Sequence, residues 1–362
     1  MIKTIRVLHT EWSNGWGGQE IRIIHEMKMM RSEGAEVYLA CRENSLIKDE
    51  AIANNIKVFS LPFRGNTDLK TLFHLKKIIK YYSIDILNTH SGKDTWVGGL
   101  AAKLTGVKFI RTRHLSNKIN PSRLNFINEL ADYIFTTGEK VRDDMIEYNR
   151  IKDNKIISIP TGIDESIFNP ESFNREECRK KLTINDSEIA IGILAVLRQF
   201  KRHDLFLKMA KSLIKKYPGK RLVFIIAGNG PQKENIEKII NDLNLAENVK
   251  MVGHINNVPE FLCAIDILVL SSDSKEGVPQ SVMQGLFMNK PVVSSDSGST
   301  RDLFNHNNFQ LIQKGSIEAL INGVSIYLDN MNEVSSRKYM MENFSSSVMV
   351  KKIITSYEKI LE

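Results

Sequence analysis

The residues best placed to do chemistry fall in a few short stretches. Glu276 lies in a polar loop within the run 271–300 (SSDSKEGVPQSVMQGLFMNKPVVSSDSGST), closed by Gly277 and Pro279. A carboxylate there can accept hydrogen bonds from sugar hydroxyls, and Gln284, eight residues on, can bond ribose hydroxyls. Arg198 and Lys201 stand three apart directly after an apolar run, so a turn or helix start makes them face one way. Arginine offers a rigid fork of donors and lysine a point charge, a pair suited to a diphosphate. Such a pair stabilises the charge that builds on a departing diphosphate without a metal. Gly228-Asn229-Gly230-Pro231 reads as a tight turn whose small residues let a base or ribose lie against the backbone. Near the N-terminus, Asn14-Gly15-Trp16-Gly17-Gly18-Gln19-Glu20 joins a strand to a helix. In that arrangement the amides of a helix start approach a phosphate or a sugar. Trp12 and Trp16 either cover a ligand there or pack the base of the loop. Taken singly, each stretch also reads as an ordinary connector or solvated loop.

The elements around these residues explain their positions. Residues 2–9 form a first strand, and 21–32 carry apolar residues at helical spacing. Strands follow at 37–41, 57–61, 85–89, 108–112, 131–137 and 155–160, with helices at 68–80, 96–104 and 139–148. Asp68 can cap the first of these and Gly106 stops the second. His90 and His114 each fall just past the end of a strand, which suggests the wall of a cleft. Residues 161–170 (TGIDESIFNP) are turn-like and make the candidate linker. The second half alternates again. Strands are expected at 190–197, 221–227, 249–252, 265–270 and 292–293, and helices at 176–182, 204–215, 232–243, 258–264, 281–287, 316–329 and 348–361, with a loop or short helix at 303–309. Gly253-His254 closes one of these strands. The fold class is therefore α/β: two Rossmann-like domains of parallel strands, with a cleft between facing strand ends. The expected boundaries are 1–165, 166–345 and a C-terminal helix 346–362 that packs back on the first domain.

Composition narrows the function. At 362 residues two domains are the default. The apolar runs are too short to span a membrane, and no cleavable signal is visible, so a cytoplasmic location is expected. Cys41, Cys178 and Cys263 are too far apart for a metal or disulfide framework. The formal net charge of +8 suits an anionic ligand, membrane surface or nucleic acid. Zinc-finger spacing, RNA-binding aromatic motifs and basic zippers are absent, so no nucleic-acid partner is expected. No P-loop or G-x-S-x-G elbow occurs, and no acidic pair has metal-binding spacing, so no metal is expected.

Taken in order, these elements resemble the nucleotide-sugar-dependent retaining glycosyltransferases of family 4 (group 1, GT-B fold), especially bacterial members that build lipopolysaccharide, capsule or O-antigen. The GG-x-E element is matched by Gly17, Gly18 and Glu20. The P-x-G-[IV]-D-x-x-x-F-x-P element is matched by Pro160, Gly162, Ile163, Asp164, Phe168 and Pro170. Arg198 and Lys201 match R-x-x-K, Gly228 to Pro231 match G-x-G-P, and Glu276 to Pro279 match E-G-x-P, followed more loosely by Asn289 to Val293. The resemblance covers nearly the whole chain. It implies a nucleotide diphosphate sugar as donor, UDP- or GDP-linked, with no other cofactor. Catalysis would rest on His114, Arg198, Lys201 and Glu276. The donor would be bound by Gly17, Gly18, Arg198, Lys201, Gly228, Asn229, Gly253, His254, Glu276, Gly277, Val278, Pro279, Gln280, Ser281 and Gln284. The acceptor would be a saccharide or lipid-linked saccharide, with peripheral contact at the inner membrane face, and transfer would retain anomeric configuration. His90 is a further acceptor-side candidate.

One departure stands out. The second glutamate of the family's E-x7-E pattern is Gln284 here, which bonds through an uncharged amide. Two other readings remain at this point: a nucleotide-sugar epimerase of the same fold, and a non-catalytic sugar-nucleotide-binding protein. The epimerase would need a carboxylate acid–base set that the placed residues do not supply.

Overall fold

The computed structural model describes residues 4–114, 119, 123–274, 276–305, 308–331 and 334–362. Contacts divide the chain into two compact units, Met1–Gly162 with Ser346–Glu362, and Ile163–Ser345.

The first unit runs β1 (Arg6–Glu11), α1 (Gly18–Ser32), β2 (Glu36–Cys41), α2 (Leu46–Ala53), β3 (Lys57–Ser60), α3 (Leu69–Tyr81), β4 (Ile86–Thr89), α4 (Gly92–Thr105), β5 (Lys108–Arg113), β6 (Tyr133–Thr136), α5 (Glu139–Asn149) and β7 (Ile156–Ser158). Among the described residues the strands form one parallel sheet in the order β3-β2-β1-β4-β5-β6-β7. The order reverses between β1 and β4, which opens a crevice at their carboxyl ends. Both faces of the sheet are covered, so alternate residues of one strand serve different cores. Val7 packs with Ile23, Met27 and Ile86, and Leu8 with Leu75, Val97 and Phe109. The C-terminal helix Ser346–Leu361 belongs to this unit and buries Met349, Val350, Ile353 and Tyr357 in the first of those cores.

Local signals account for several element boundaries. Asp68 Oδ1 accepts the Thr71 N–H at 3.2 Å and caps α3. Helix α4 starts at Gly92 rather than 96 because Ser91 and Asp94 form a capping box. The expected strand 2–9 is found as Arg6–Glu11, its residues 2 and 3 lying outside the described residues. Helix α2 was not anticipated. It buries only Ile47 and Ala51 while Leu46 and Ile52 face solvent, so its apolar pattern is weak.

The second unit runs α6 (Arg175–Lys181), β8 (Glu188–Leu194), α7 (His203–Lys216), β9 (Arg221–Ala227), α8 (Lys233–Asp242), β10 (Val249–Gly253), α9 (Val258–Ala264), β11 (Ile267–Leu270), α10 (Gln280–Phe287), β12 (Val292–Ser295), β13 (Gln310–Ile312), α11 (Ile317–Asp329) and α12 (Arg337–Phe344). Its described strands are again parallel, in the order β10-β9-β8-β11-β12-β13, reversing between β8 and β11. The central strands read as unbroken apolar runs because helices cover both faces. Strand β13, three residues long, and α12 were missed in the sequence. In the stretch 303–309, a 3₁₀ turn ends at Leu303, and residues 306–307 lie outside the described residues. The turn-like stretch 161–170 is not a free tether. Ile163 N–H donates to the Phe344 carbonyl at 3.0 Å, and Arg337 donates to the carbonyls of Glu165 and Phe168.

At the amino end of this sheet, buried Asp266 knits β8 to β11. It accepts from Ala190 N–H (2.7 Å), Arg179 (3.3 Å) and Arg175 (2.6 Å). Arg179 is itself buried, so removing the carboxylate strips a buried cation of its close counter-ion, leaving it with carbonyl acceptors nearby, and leaves the Ala190 amide unpaired. Asp266→Ala is therefore expected to lower stability by about 3 kcal/mol in urea unfolding. Asp266→Asn, which keeps the acceptor for Ala190, is expected to lose less.

Candidate functional site

In the second unit the chemistry gathers where the strand order reverses. Arg198 stands just past β8 at the start of a 3₁₀ turn, Gln199–Lys201, and Glu276 lies in the loop after β11. Lys201 Nζ meets Glu276 Oε1 at 2.5 Å. The carboxylate is buried and the ammonium nearly so, which strengthens their attraction relative to a surface pair. Among the described residues this is the one hydrogen bond of either charged group, and the ammonium also lies 5.4 Å from the Phe200 ring centre. Arg198 is exposed and has no carboxylate partner among the described residues.

Neighbouring bonds fix this pair. Ser271 Oγ lies 2.9 and 3.0 Å from the carbonyls of Lys201 and Arg202, and Asp273 N–H donates to the Phe200 carbonyl at 3.0 Å. Arg202 is a brace between the two strand-end loops. Its guanidinium binds Asp204 (2.9 and 3.0 Å) and Asp273 (3.1 Å), bonds that hold its pKa above the ordinary arginine value despite partial burial. From the far side, Gly298 has φ +61°, and a Cβ built there would lie 1.9 Å from the Glu276 carbonyl oxygen. Only glycine lets the loop after β12 approach so closely.

The remaining second-unit candidates fall past β9, at the end of β10 and at the start of α10. Gly228 has φ +140°, and a Cβ there would meet the Ala195 carbonyl at 1.9 Å. The Gly228 N–H donates to Gly253 O at 2.7 Å, and Asn229 O accepts from Leu197 N–H at 3.0 Å. The ends of β8, β9 and β10 are thus tied together. The Asn229 and His254 side chains are exposed. His254 lines a smaller hollow beside α6 and α9 with Cys178 and Phe261. Gly277, Val278 and Pro279 lead into α10, whose first turn begins at Gln280 and Ser281 and has no side-chain cap. Its leading amides are therefore unclaimed by a capping side chain. Gln284 is half-buried one turn further on. A cavity of about 640 Å³ lies between α7 and α8. It includes Arg198 and Gln232 but neither Lys201 nor Glu276.

In the first unit, Gly17 caps α1 with extended backbone and Gly18 is its first residue. The loop before it is pinned by Glu11, which accepts from Ser13 N–H (2.7 Å) and Gln19 Nε2 (2.6 Å). Burial, reinforced by Asp94, pushes the Glu11 carboxyl up to about 8. Trp16 is exposed, while half-buried Trp12 has Lys93 Nζ 3.9 Å and the Arg42 guanidinium 5.6 Å from its ring centre. Arg42 also lines a hollow of about 400 Å³ with Asn14, Lys70 and His74. His114, past β5, is joined to His90, past β4, by a ring N···N contact of 2.9 Å.

Sequence reading placed His90 and His114 at equivalent strand ends but missed His9, read only as part of a strand. His9 Nδ1 lies 2.9 Å from His90 Nε2. The sequence carries no local signal for it, since the contact depends on β1, β4 and β5 being adjacent in the sheet. Asp94, which falls between the expected strand 85–89 and helix 96–104, was also not singled out. It is buried and accepts from Thr10, Ser91 and the His90 amide. Among the described residues no group of three His, Cys, Asp or Glu side chains could hold a metal ion. No helix among them is long and apolar enough to cross a membrane.

Comparison with known proteins agrees with this architecture. The family described as Glycosyltransferase Family 4 matches residues 16–167, and Glycosyl transferases group 1 matches 174–345. Among curated proteins the chain is 24% identical to the UDP-Gal:alpha-D-GlcNAc-diphosphoundecaprenol alpha-1,3-galactosyltransferase of Escherichia coli, over 98% of this chain and 96% of that one. It is 25% identical to the putative glycosyltransferase EpsF of Bacillus subtilis, over 81% and 79%. Among solved structures it resembles a glycosyltransferase from Rickettsia africae (TM-score 0.90, 19% identity, 99% of both chains). It also resembles Anabaena HepE in complex with UDP and glucose (TM-score 0.82, 16% identity, 98% of this chain and all of that one). With two Rossmann-like units and these matches, the chain belongs to the GT-B glycosyltransferases of the family 4 and group 1 lineage.

Proposed function

We propose that the protein transfers a sugar from a UDP- or GDP-linked donor to a saccharide or lipid-linked saccharide, retaining anomeric configuration, in the biosynthesis of a cell-surface polysaccharide or lipopolysaccharide. The observation that carries this reading is the Lys201–Glu276 pair at the strand reversal of the second unit, with Arg198 exposed beside it. A diphosphate supplies negative charge for Arg198 and Lys201. The sugar hydroxyls supply donors for Glu276, and the α10 amides assist at the phosphate. Gln284 bonds the ribose through its neutral amide. The Gly228–Asn229 turn and Gly253-His254 lie along the base and ribose, and Gly17 and Gly18 bring backbone amides toward the phosphates. In this mechanism the departing diphosphate assists front-side attack by an acceptor hydroxyl, and its developing charge is met by Arg198 and Lys201. His114 acts beside the reacting sugar and the acceptor.

The UDP-linked donor and the diphosphate-bearing lipid acceptor named for the Escherichia coli relative support the donor and acceptor classes. A panel of UDP-galactose, UDP-glucose, UDP-GlcNAc and GDP-mannose tests this reading by hydrolysis without added metal. At least one is expected to turn over, and failure of all four to bind in calorimetry would sink it. With the active donor, Lys201→Ala and Glu276→Ala should each lower kcat/KM at least about tenfold, the loss of a transition-state contact worth ~1.4 kcal/mol. Wild-type rates in both variants would refute their roles.

The acceptor side suits an anionic lipid surface. Helix α3 exposes Leu69, Phe73 and Tyr81 and carries Lys70, Lys76, Lys77 and Lys80, with no acidic residue within it. Such a face lies on a bilayer with its apolar residues inserted and its lysines at the lipid phosphates. The protein should therefore sediment with phosphatidylglycerol vesicles and not with phosphatidylcholine vesicles. Lys76→Glu/Lys77→Glu/Lys80→Glu should abolish this, since each lysine contributes about 1 kcal/mol. The same variant should leave hydrolysis of a soluble donor unchanged.

A further inference from the structure

The proposed chemistry uses His114 but leaves two buried histidines of the first unit without a task. His9 lies on β1, His90 follows β4 and His114 follows β5, three adjacent strands. The rings form a row: His9 Nδ1 to His90 Nε2 is 2.9 Å, and His90 Nδ1 to His114 Nε2 is 2.9 Å. The His9 and His90 planes lie within 9° of each other, and those of His90 and His114 within 38°. Asp94 braces the segments that carry the first two rings. One of its oxygens accepts both the Thr10 hydroxyl (2.6 Å) and the His90 amide (3.0 Å).

Burial keeps the row uncharged. His9 is held down to about 3 by desolvation alone. Desolvation also holds His90 and His114 well below the ordinary histidine range, helped by Arg22 near both and by Arg113 near His114. A neutral imidazole has one N–H and one lone pair. His90 uses both nitrogens, so donating to one neighbour obliges it to accept from the other. Only two neutral arrangements keep both bonds. Either all three rings carry hydrogen on Nδ1, or all three carry it on Nε2. The first makes His114 Nδ1 a donor and the second makes it an acceptor. The far nitrogen, His9 Nε2, is buried and has no hydrogen-bond partner among the described residues.

We propose that His9 and His90 are positioning residues that set whether His114 meets the reacting sugar and acceptor as a hydrogen-bond donor or as an acceptor. The row transmits a choice of tautomer from the interior to the strand end, without net movement of charge. This role rests on the proposed part played by His114.

The test has a spectroscopic and a kinetic arm. Long-range proton–nitrogen NMR of the full-length, ¹⁵N-histidine-labelled protein near neutral pH identifies each ring's tautomer, with His9→Asn, His90→Gln and His114→Gln used for assignment. All three rings are expected to be neutral and to share one tautomer. A mixed set, or a charged ring among them, overturns the proposal. The kinetic arm uses whichever nucleotide sugar of the four above is hydrolysed fastest. His9→Phe, which keeps an aromatic ring but removes the nitrogens, should lower kcat about tenfold and leave KM within about twofold. His9→Asn, whose amide reaches the Nδ1 position, should retain kcat within about threefold. A packing role predicts the opposite order, because phenylalanine suits a buried site better than asparagine. Phe milder than Asn, or both at wild-type rate, refutes the inference. His114→Ala separates the two levels: unchanged kcat in that variant overturns the role of His114 itself. A loss there with none in His9→Phe overturns only the row.

Discussion

Parallel pairing is the constraint on which this molecule depends. When every strand of a sheet runs the same way, all carboxyl ends and their loops fall on one edge. Because each sheet starts at its centre and grows first to one side, then to the other, two of those loops diverge at the reversal and leave room between them. In the second unit those loops carry Lys201 and Glu276. In the first, the crevice lies between β1 and β4, with His9 on one strand and His90 at the end of the other. The opposite edge carries groups of another kind. Asp266, at the amino end, is spent on holding β8 against β11.

The fold was legible in the sequence because buried parallel strands leave a coarse signal. Runs such as residues 222–227 of β9 and the whole of β11 are apolar throughout, and the helices between strands show their spacing or a cap, as Asp68 does for α3. What escaped was short or poorly amphipathic: α2, which exposes Leu46 and Ile52 while burying Ile47 and Ala51, three-residue β13, and α12. The start of α4 was misplaced by four residues because its signal is the polar pair Ser91 and Asp94, not its apolar spacing.

The site was legible as a set of residue types and less so as a set of contacts. Spacing brought out Arg198, Lys201 and Glu276, but not that the last two bind each other, since they are far apart in sequence and meet only through the β8–β11 pairing. Nor could spacing separate Arg198, which is exposed, from Arg202, which is tied to Asp204 and Asp273. The row of imidazoles depends on strand order, which periodicity does not report. His9 in a strand looks like any polar residue at an alternating position.

The Lys201–Glu276 contact has a bearing on selectivity. A ligand that offers only phosphate pulls the ammonium away and leaves a buried carboxylate without its counter-ion. One that offers only hydroxyls competes with an ammonium already in place. Each half alone meets a penalty of the kind paid whenever a buried ion pair loses one member. A molecule bearing both groups at the right separation gives each partner a replacement at once. On the proposed reading of this site, the ion pair would act as a coincidence detector, favouring the intact conjugate over either of its fragments.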